Sequence, residues 1–347
     1  MVISPPAPEL RRVAIEIRRT CDNACVFCCR KGLDLSTGTE TGSSSDLHAR
    51  LHRARESAEE VTFVGGEPTL LGAELVLAIA EARRLGFRAV GVQSHGRHLS
   101  DGPGRKFLES LHRAGLSDLH LSVHGDSAAV HDYHSGVEGS WHALSGTLEA
   151  ARDRGLRVAV TTVLTRSNFR NLGELPRWLG TRAVSAWALV VPRAVGGARL
   201  RFESIVPRLG MVLPHALRAL DRARRRRLPT WIIGAPHCLL GPYRRFALAE
   251  AEPRAYALAC DGCRVVGSCA GVDPLYLARF ADTELRQSRL TAADEQHEAE
   301  SGPRSAEQAA LGRLFVGMGR FAEGGRPQAE IISPPRSALA RQPGGVG

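Results

Sequence analysis

Short apolar runs of strand length alternate with amphipathic runs of helix length along most of this chain. Strand-like stretches lie at 12–18, 60–65, 87–94, 117–124, 156–164, 184–191 and 230–234. Helical periodicity fills the intervals near 45–57, 70–85, 103–114, 141–154, 171–181 and 213–227. Gly86, Gly115 and Gly155 stand where helix C-caps belong, and Ser140 stands as an N-cap before Trp141. This alternation predicts an α/β chain built on a parallel sheet. A parallel strand can follow only after a crossover that carries the chain back along the sheet. Working residues are then expected at the C-terminal ends of the strands.

The eight cysteines point to chemistry there. Cys21, Cys25 and Cys28 form a C-x3-C-x2-C run just after the strand Val13-Ala-Ile-Glu-Ile17. Clustered cysteines in a reducing compartment usually serve metal or catalysis, and thiolates suit iron–sulfur clusters or zinc. Three ligands leave one iron of a cubane open, and an open metal position is where chemistry happens. Cys29, adjacent to Cys28, reads as a small packing residue. Cys238, Cys260, Cys263 and Cys269 form a second group, enough to close a site. On 119–124, alternation places His120, Ser122 and His124 on one face and Leu119, Leu121 and Val123 on the other. Inward polar groups need partners, either one another, water or a ligand.

The run of three cysteines, with Phe27 before the last, resembles the radical S-adenosylmethionine (SAM) superfamily. Val61-Thr-Phe-Val-Gly65-Gly66-Glu67-Pro68 resembles that family's GGEP motif at the end of the second strand. Pattern and resemblance together imply a partial (β/α)6 TIM-like barrel with a small cysteine-rich C-terminal extension. The resemblance covers roughly residues 10–280. It implies a [4Fe–4S] cluster on Cys21, Cys25 and Cys28, whose open iron SAM chelates. One electron then cleaves SAM to a 5′-deoxyadenosyl radical that takes hydrogen from a substrate. It places Phe27 near adenine, Gly65, Gly66, Glu67 and Pro68 at the SAM amino group, and Ser94, Ser122 and Thr161 as further SAM contacts. Ser94-His95-Gly96 departs from the family's Thr-Asn-Gly at His95. Ser135 stands where relatives with an auxiliary cluster have an arginine, and His134 or Arg193 is the candidate substitute. Cys238, Cys260, Cys263 and Cys269 resemble a twitch or SPASM extension. A full SPASM has seven cysteines, so these four would hold one auxiliary [4Fe–4S] cluster. Structural zinc is the alternative. An electron donor such as flavodoxin or ferredoxin is implied.

Composition narrows the remaining classes. The formal charge is +10, yet only Lys31 and Lys106 are lysines and aromatics are 5%. A basic set that is nearly all arginine, without interleaved aromatics, argues against nucleic-acid binding. No apolar run is long enough to span a bilayer and MVISPPAPELRR has no apolar signal core, so a cytoplasmic protein is expected. The expected organisation is an arm (1–10), the core barrel (11–229), the auxiliary-cluster region (230–285) and a polar, partly disordered tail (286–347), with one helix over 305–319. A peptide or protein side chain ranks first as substrate, a small molecule or nucleotide second. A non-catalytic metal- or RNA-binding protein on a degenerate barrel is the alternative of another class.

Overall fold

The computed structural model describes residues 11–32, 44–248, 255–288 and 311–315. Eight strands form one sheet in chain order, and every neighbouring pair is parallel. They are β1 (Arg12–Arg18), β2 (Glu60–Gly65), β3 (Ala89–Ser94), β4 (Asp118–Ser122), β5 (Arg157–Val163), β6 (Ala186–Val190), β7 (Thr230–Ile233) and β8 (Ala247–Leu248). The helices are α1 (Ser44–Arg55), α2 (Ala73–Arg84), α3 (Gly102–Ala114), α4 (Ala128–Ser135), α5 (Ser140–Asp153), α6 (Leu175–Gly180), α7 (Gly196–Leu200), α8 (Phe202–Ile205), α9 (Leu209–Arg225) and α10 (Pro274–Phe280). β1 and β8 do not pair, so the sheet curls as a partial TIM-like barrel.

All seven expected strands form, β1 and β2 at the expected bounds and the other five trimmed at one or both ends. The eighth spans two residues, too short to leave a periodic signal. The start of α3 shows the local logic. Asp101 accepts from the amide of Gly104 at 2.7 Å, Pro103 follows in the first turn, and Gly115 closes the helix at φ +112°. The short helices α4, α7, α8 and α10 add to the expected set, because a turn or two of helix carries little periodicity. β7, which opens the region expected to be the extension, pairs with β6 and continues the core sheet. The arm 1–10 and the tail beyond 315 lie outside the described residues, and of the helix expected over 305–319 only 311–315 are described.

At the N-terminal end of the barrel an ion network replaces apolar filling. Arg12 on β1 bonds Glu60 on β2 at 2.9 Å and Asp118 on β4 at 2.7 Å, and also reaches Thr62 at 2.9 Å. The side chains of Arg12 and Asp118 are wholly buried. His120 bonds Asp118 at 3.2 Å, so this inward histidine is satisfied within the protein. Burial alone would raise the Asp118 pKa, but the bonds and charges of His120 and Arg12 hold it well below the usual carboxylate range. Gly91 on β3 makes the room: a Cβ there would lie 2.4 Å from Asp118 Oδ1 and 3.0 Å from Arg12 Nη1. Beside this network Leu314 and Phe315 pack with Ala159, Ala186, Ala188 and Trp231, and Arg313 reaches Glu60 at 3.5 Å. The small alanines on β5 and β6 leave space for that returning segment. Among the described residues, no helix is long and apolar enough to cross a membrane.

Candidate functional site

Three cysteines sit on the loop that leaves β1 at the C-terminal end of the sheet, and backbone bonds pin this loop from several sides. The amides of Ala24 and Val26 donate to the carbonyls of Ser135 and His134 at the end of α4, both at 3.0 Å. A Cβ on Gly136 would lie 2.6 Å from the Ala24 carbonyl oxygen. From the opposite side the Gly197 amide donates to the Cys28 carbonyl at 2.8 Å. Gly196 has φ +52°, and a Cβ there would lie 2.3 Å from the Cys29 carbonyl oxygen. Sequence reasoning missed this glycine pair. Two glycines after a strand are a weak signal until the loop they grip is known. Gly196→Ala is therefore expected to displace the cysteine loop, combining a backbone clash with a disfavoured left-handed φ. The check is iron content after anaerobic reconstitution, which should fall well below wild type while far-UV circular dichroism stays unchanged.

The GGEP turn folds directly onto this loop. The amide of Gly66 donates to the Arg18 carbonyl at 2.7 Å and that of Glu67 to the Thr20 carbonyl at 2.8 Å. Cβ atoms on Gly65 and Gly66 would lie 2.0 Å from the carbonyl oxygens of Arg18 and Thr20. The two glycines thus permit contact between two backbone segments of the protein. Glu67 is fully buried. Its Oε1 accepts from the Thr69 amide at 3.1 Å, the Thr69 hydroxyl at 2.6 Å and the Ser94 hydroxyl at 2.8 Å. Its Oε2 accepts from the His95 amide at 2.9 Å and lies 3.1 Å from His95 Nε2. A carboxylate oxygen has about two lone-pair sites, so these donors fill Oε1. Glu67 and Ser94 here are the interior of the turn, and the buried Pro68 starts its 3-10 segment Pro68–Leu71.

Burial pushes the Cys21 thiol up to about 11 and, with the neighbouring Cys28 and Cys21 sulfurs, the Cys25 thiol to about 12. A hydrogen bond with Cys29 brings Cys28 down to about 6. The packing role expected of Cys29 does not hold, because the chain turns there and leaves it exposed. Crowded, half-buried thiols of this kind become thiolates when a cation compensates them. Among the described residues, no three of the cysteine sulfurs lie within 4.8 Å of one another. A single tetrahedral ion, with Zn–S bonds of about 2.3 Å, would draw them closer than that. The donor set therefore fits a polynuclear iron–sulfur cluster.

Around the loop stand the other expected contacts. Phe27 is half-buried, edge-on to His124 at 4.7 Å. Ser122 and Thr161 are neighbours in register on β4 and β5. Their hydroxyls make no hydrogen bond among the described residues. His124 is buried, and its Nδ1 has no hydrogen-bond partner among the described residues. His134 does not replace the missing arginine, since its ring nitrogens face the Val130 carbonyl at 2.6 Å and the Thr165 hydroxyl at 2.8 Å. Burial holds the His124, His131 and His134 pKa values below the ordinary histidine range, so these rings are neutral near pH 7.

The second cysteine group is brought together by tertiary structure. Cys238, Cys260, Cys263 and Cys269 line one cavity of about 350 Å³ including its open mouth. The amides of His237 and Gly271 point at the Cys269 sulfur, at 3.3 and 3.4 Å. Such N–H···S contacts stabilise thiolate ligands.

Residues 15–179 match the family described as the radical SAM superfamily. The chain carries a radical SAM domain. Curated relatives include an AdoMet-dependent heme synthase of Oleidesulfovibrio alaskensis, 27% identical over 190 residues, covering 53% of this chain and 47% of the relative. A PqqA peptide cyclase of Xanthomonas euvesicatoria pv. vesicatoria is 30% identical over 169 residues, covering 48% and 43%. The chain spans about half the length of the curated relatives it matches. In fold it is similar to Streptococcus suis SuiB bound to S-adenosylmethionine, with a TM-score of 0.54, 15% identity, and coverage of 70% of this chain and 54% of that one.

Proposed function

We propose that this chain is a radical SAM enzyme that modifies a peptide or protein side chain. One observation carries the reading. The three-cysteine loop and the GGEP turn are hydrogen-bonded to each other at the C-terminal ends of β1 and β2, inside the segment that matches the family. Cys21, Cys25 and Cys28 would hold a [4Fe–4S] cluster, with SAM beside Phe27. When bound, the pair supplies one-electron cleavage of SAM and the hydrogen abstraction that follows. The chain's own part is positional. Backbone bonds from α4, α7 and the GGEP turn fix where the sulfurs stand. Ser122 and Thr161 offer two unsatisfied hydroxyls to a ribose or carboxylate. The buried network around Arg12 and the side chains of Leu314 and Phe315 close the opposite end, so substrate would enter over the cysteine loop.

The peptide assignment draws on the likeness to the PqqA peptide cyclase. Likeness to the heme synthases favours a small molecule as the second reading. The four-cysteine cavity would hold an auxiliary [4Fe–4S] cluster, and its wide sulfur spacing favours this over zinc. A small redox protein such as flavodoxin or ferredoxin would supply electrons. Free clustered thiols suit the reducing cytoplasm.

The test is anaerobic reconstitution, iron counting and a SAM-cleavage assay with dithionite. The expected result is about eight irons per chain, as two [4Fe–4S] clusters require, and release of 5′-deoxyadenosine. A Cys260→Ala/Cys263→Ala variant should keep about four irons and still cleave SAM. Absence of both SAM binding and cleavage in the iron-loaded protein would sink the enzyme reading. Deuterium transfer into 5′-deoxyadenosine from a labelled candidate peptide, against a labelled porphyrin, separates the two substrate classes.

A further inference from the structure

The turn after β3 grips the cysteine loop through His95, Arg97 and His98, and of these His95 also faces the GGEP turn. His95 Nε2 lies 2.9 Å from Asp22 Oδ1 and 3.1 Å from Glu67 Oε2. Its other ring nitrogen, Nδ1, accepts from the Arg97 amide at 3.1 Å. A nitrogen that accepts carries no proton, so the hydrogen of the neutral ring is on Nε2. That one N–H bonds Asp22, with the Glu67 carboxylate 3.1 Å away. Asp22 belongs to the loop beside Cys21, and Glu67 belongs to the GGEP turn. The rest of the β3 turn closes on the same aspartate. His98 Nε2 reaches Asp22 Oδ2 at 2.9 Å and Arg97 Nη1 reaches it at 3.1 Å. Arg97 also donates to Asn23 Oδ1 at 2.9 Å.

We propose that His95 is a positioning residue that clasps the cysteine loop to the GGEP turn, so that Cys21 and the SAM-binding turn form one preorganised unit. The reach of the side chain matters. Asparagine places its amide nitrogen near where histidine has Nδ1 and falls short of Asp22. Glutamine places its amide nitrogen near where histidine has Nε2 and can still donate to the carboxylates. The Thr69 and Ser94 donors occupy Oε1 of Glu67, and Oε2 accepts from the His95 amide, so the carboxylate is tied into this joint. The SAM part of the inference rests on the proposed function, while the clasp itself does not.

The experiment therefore has two arms. In metal-free protein, amide hydrogen exchange is measured across residues 20–29 for wild type, His95→Ala, His95→Asn and His95→Gln. Exchange should rise about ten-fold in His95→Ala and His95→Asn and return towards wild type in His95→Gln, the scale expected for losing a hydrogen bond to a charged group. Asp22→Ala should loosen the same segment, and Asp22→Ala/His95→Ala should add nothing beyond it. In reconstituted protein, SAM affinity should weaken by a similar factor in His95→Ala and recover in His95→Gln, with the reduced-cluster EPR spectrum shifting in parallel. Wild-type protection in His95→Asn, or failure of His95→Gln to rescue, overturns the clasp. Wild-type protein that takes up iron but no SAM would defeat the functional reading, and the exchange arm would still decide the clasp.

Discussion

Replacing Cys21, Cys25 and Cys28 together with alanine is expected to remove about four irons per chain, one cluster's worth, and to abolish SAM cleavage. The loss should be on the order of 10⁴-fold or more, the scale seen when a whole catalytic unit is removed. The fold should survive. The loop is held through the amides of Ala24, Val26 and Gly197 and the carbonyls of Arg18 and Thr20, and none of these bonds involves a sulfur. Iron counting, near-UV circular dichroism and 5′-deoxyadenosine release, measured on one preparation, separate loss of the cluster from loss of structure. Cleavage at the wild-type rate in the triple variant would move the chemistry away from this loop. The four cysteines beyond residue 237 would then be the next place to look.

Asp118→Asn is expected to be the most damaging polar substitution in the chain. It leaves the Arg12 guanidinium, wholly buried, with Glu60 as its remaining carboxylate. Breaking a buried pair from one side costs about 3–5 kcal/mol, because the surviving charge stays desolvated. Urea denaturation should show the midpoint moving sharply down. Arg157→Gln is the control, since Arg157 also faces Asp118, at 3.4 Å, but is 43% exposed. It should cost no more than about 1 kcal/mol. Similar losses for the two variants would show that the network acts as an ordinary surface pair. The sign with pH follows from the depressed Asp118 pKa. Its contribution is present above the ordinary carboxylate range and disappears as strong acid protonates the folded state.

Much of the architecture is legible in the sequence. Seven strands and the long helices follow from periodicity that each segment carries in itself. Their ends differ by a few residues because pairing and capping set them. The C-terminal placement of the cysteines and GGEP also follows, since both motifs directly abut a strand. What escapes is short or distributed. β8 spans two residues, and α4, α7, α8 and α10 are too brief for a period. Gly196 and Gly197 gain meaning only with Cys28 lying against them. The resemblance makes Glu67 an acceptor for the SAM ammonium, and the structure adds donors from Thr69, Ser94 and His95 on the same carboxylate. No linear motif reports how many donors converge on a side chain.

By itself the sequence determined the parallel α/β plan, the three-thiol loop after the first strand and the glycine-rich turn after the second. Each is a property of neighbouring residues, decided by periodicity, chain reversal and the donor chemistry of thiols. Only the tertiary structure decided that Gly91 makes room for an ion pair between Arg12 and Asp118, 106 positions apart. It also decided that four cysteines spread over 238–269 share one cavity, and that His95 stands between Asp22 and Glu67. Those facts depend on distances between segments remote in the chain, which packing sets and local pattern does not encode.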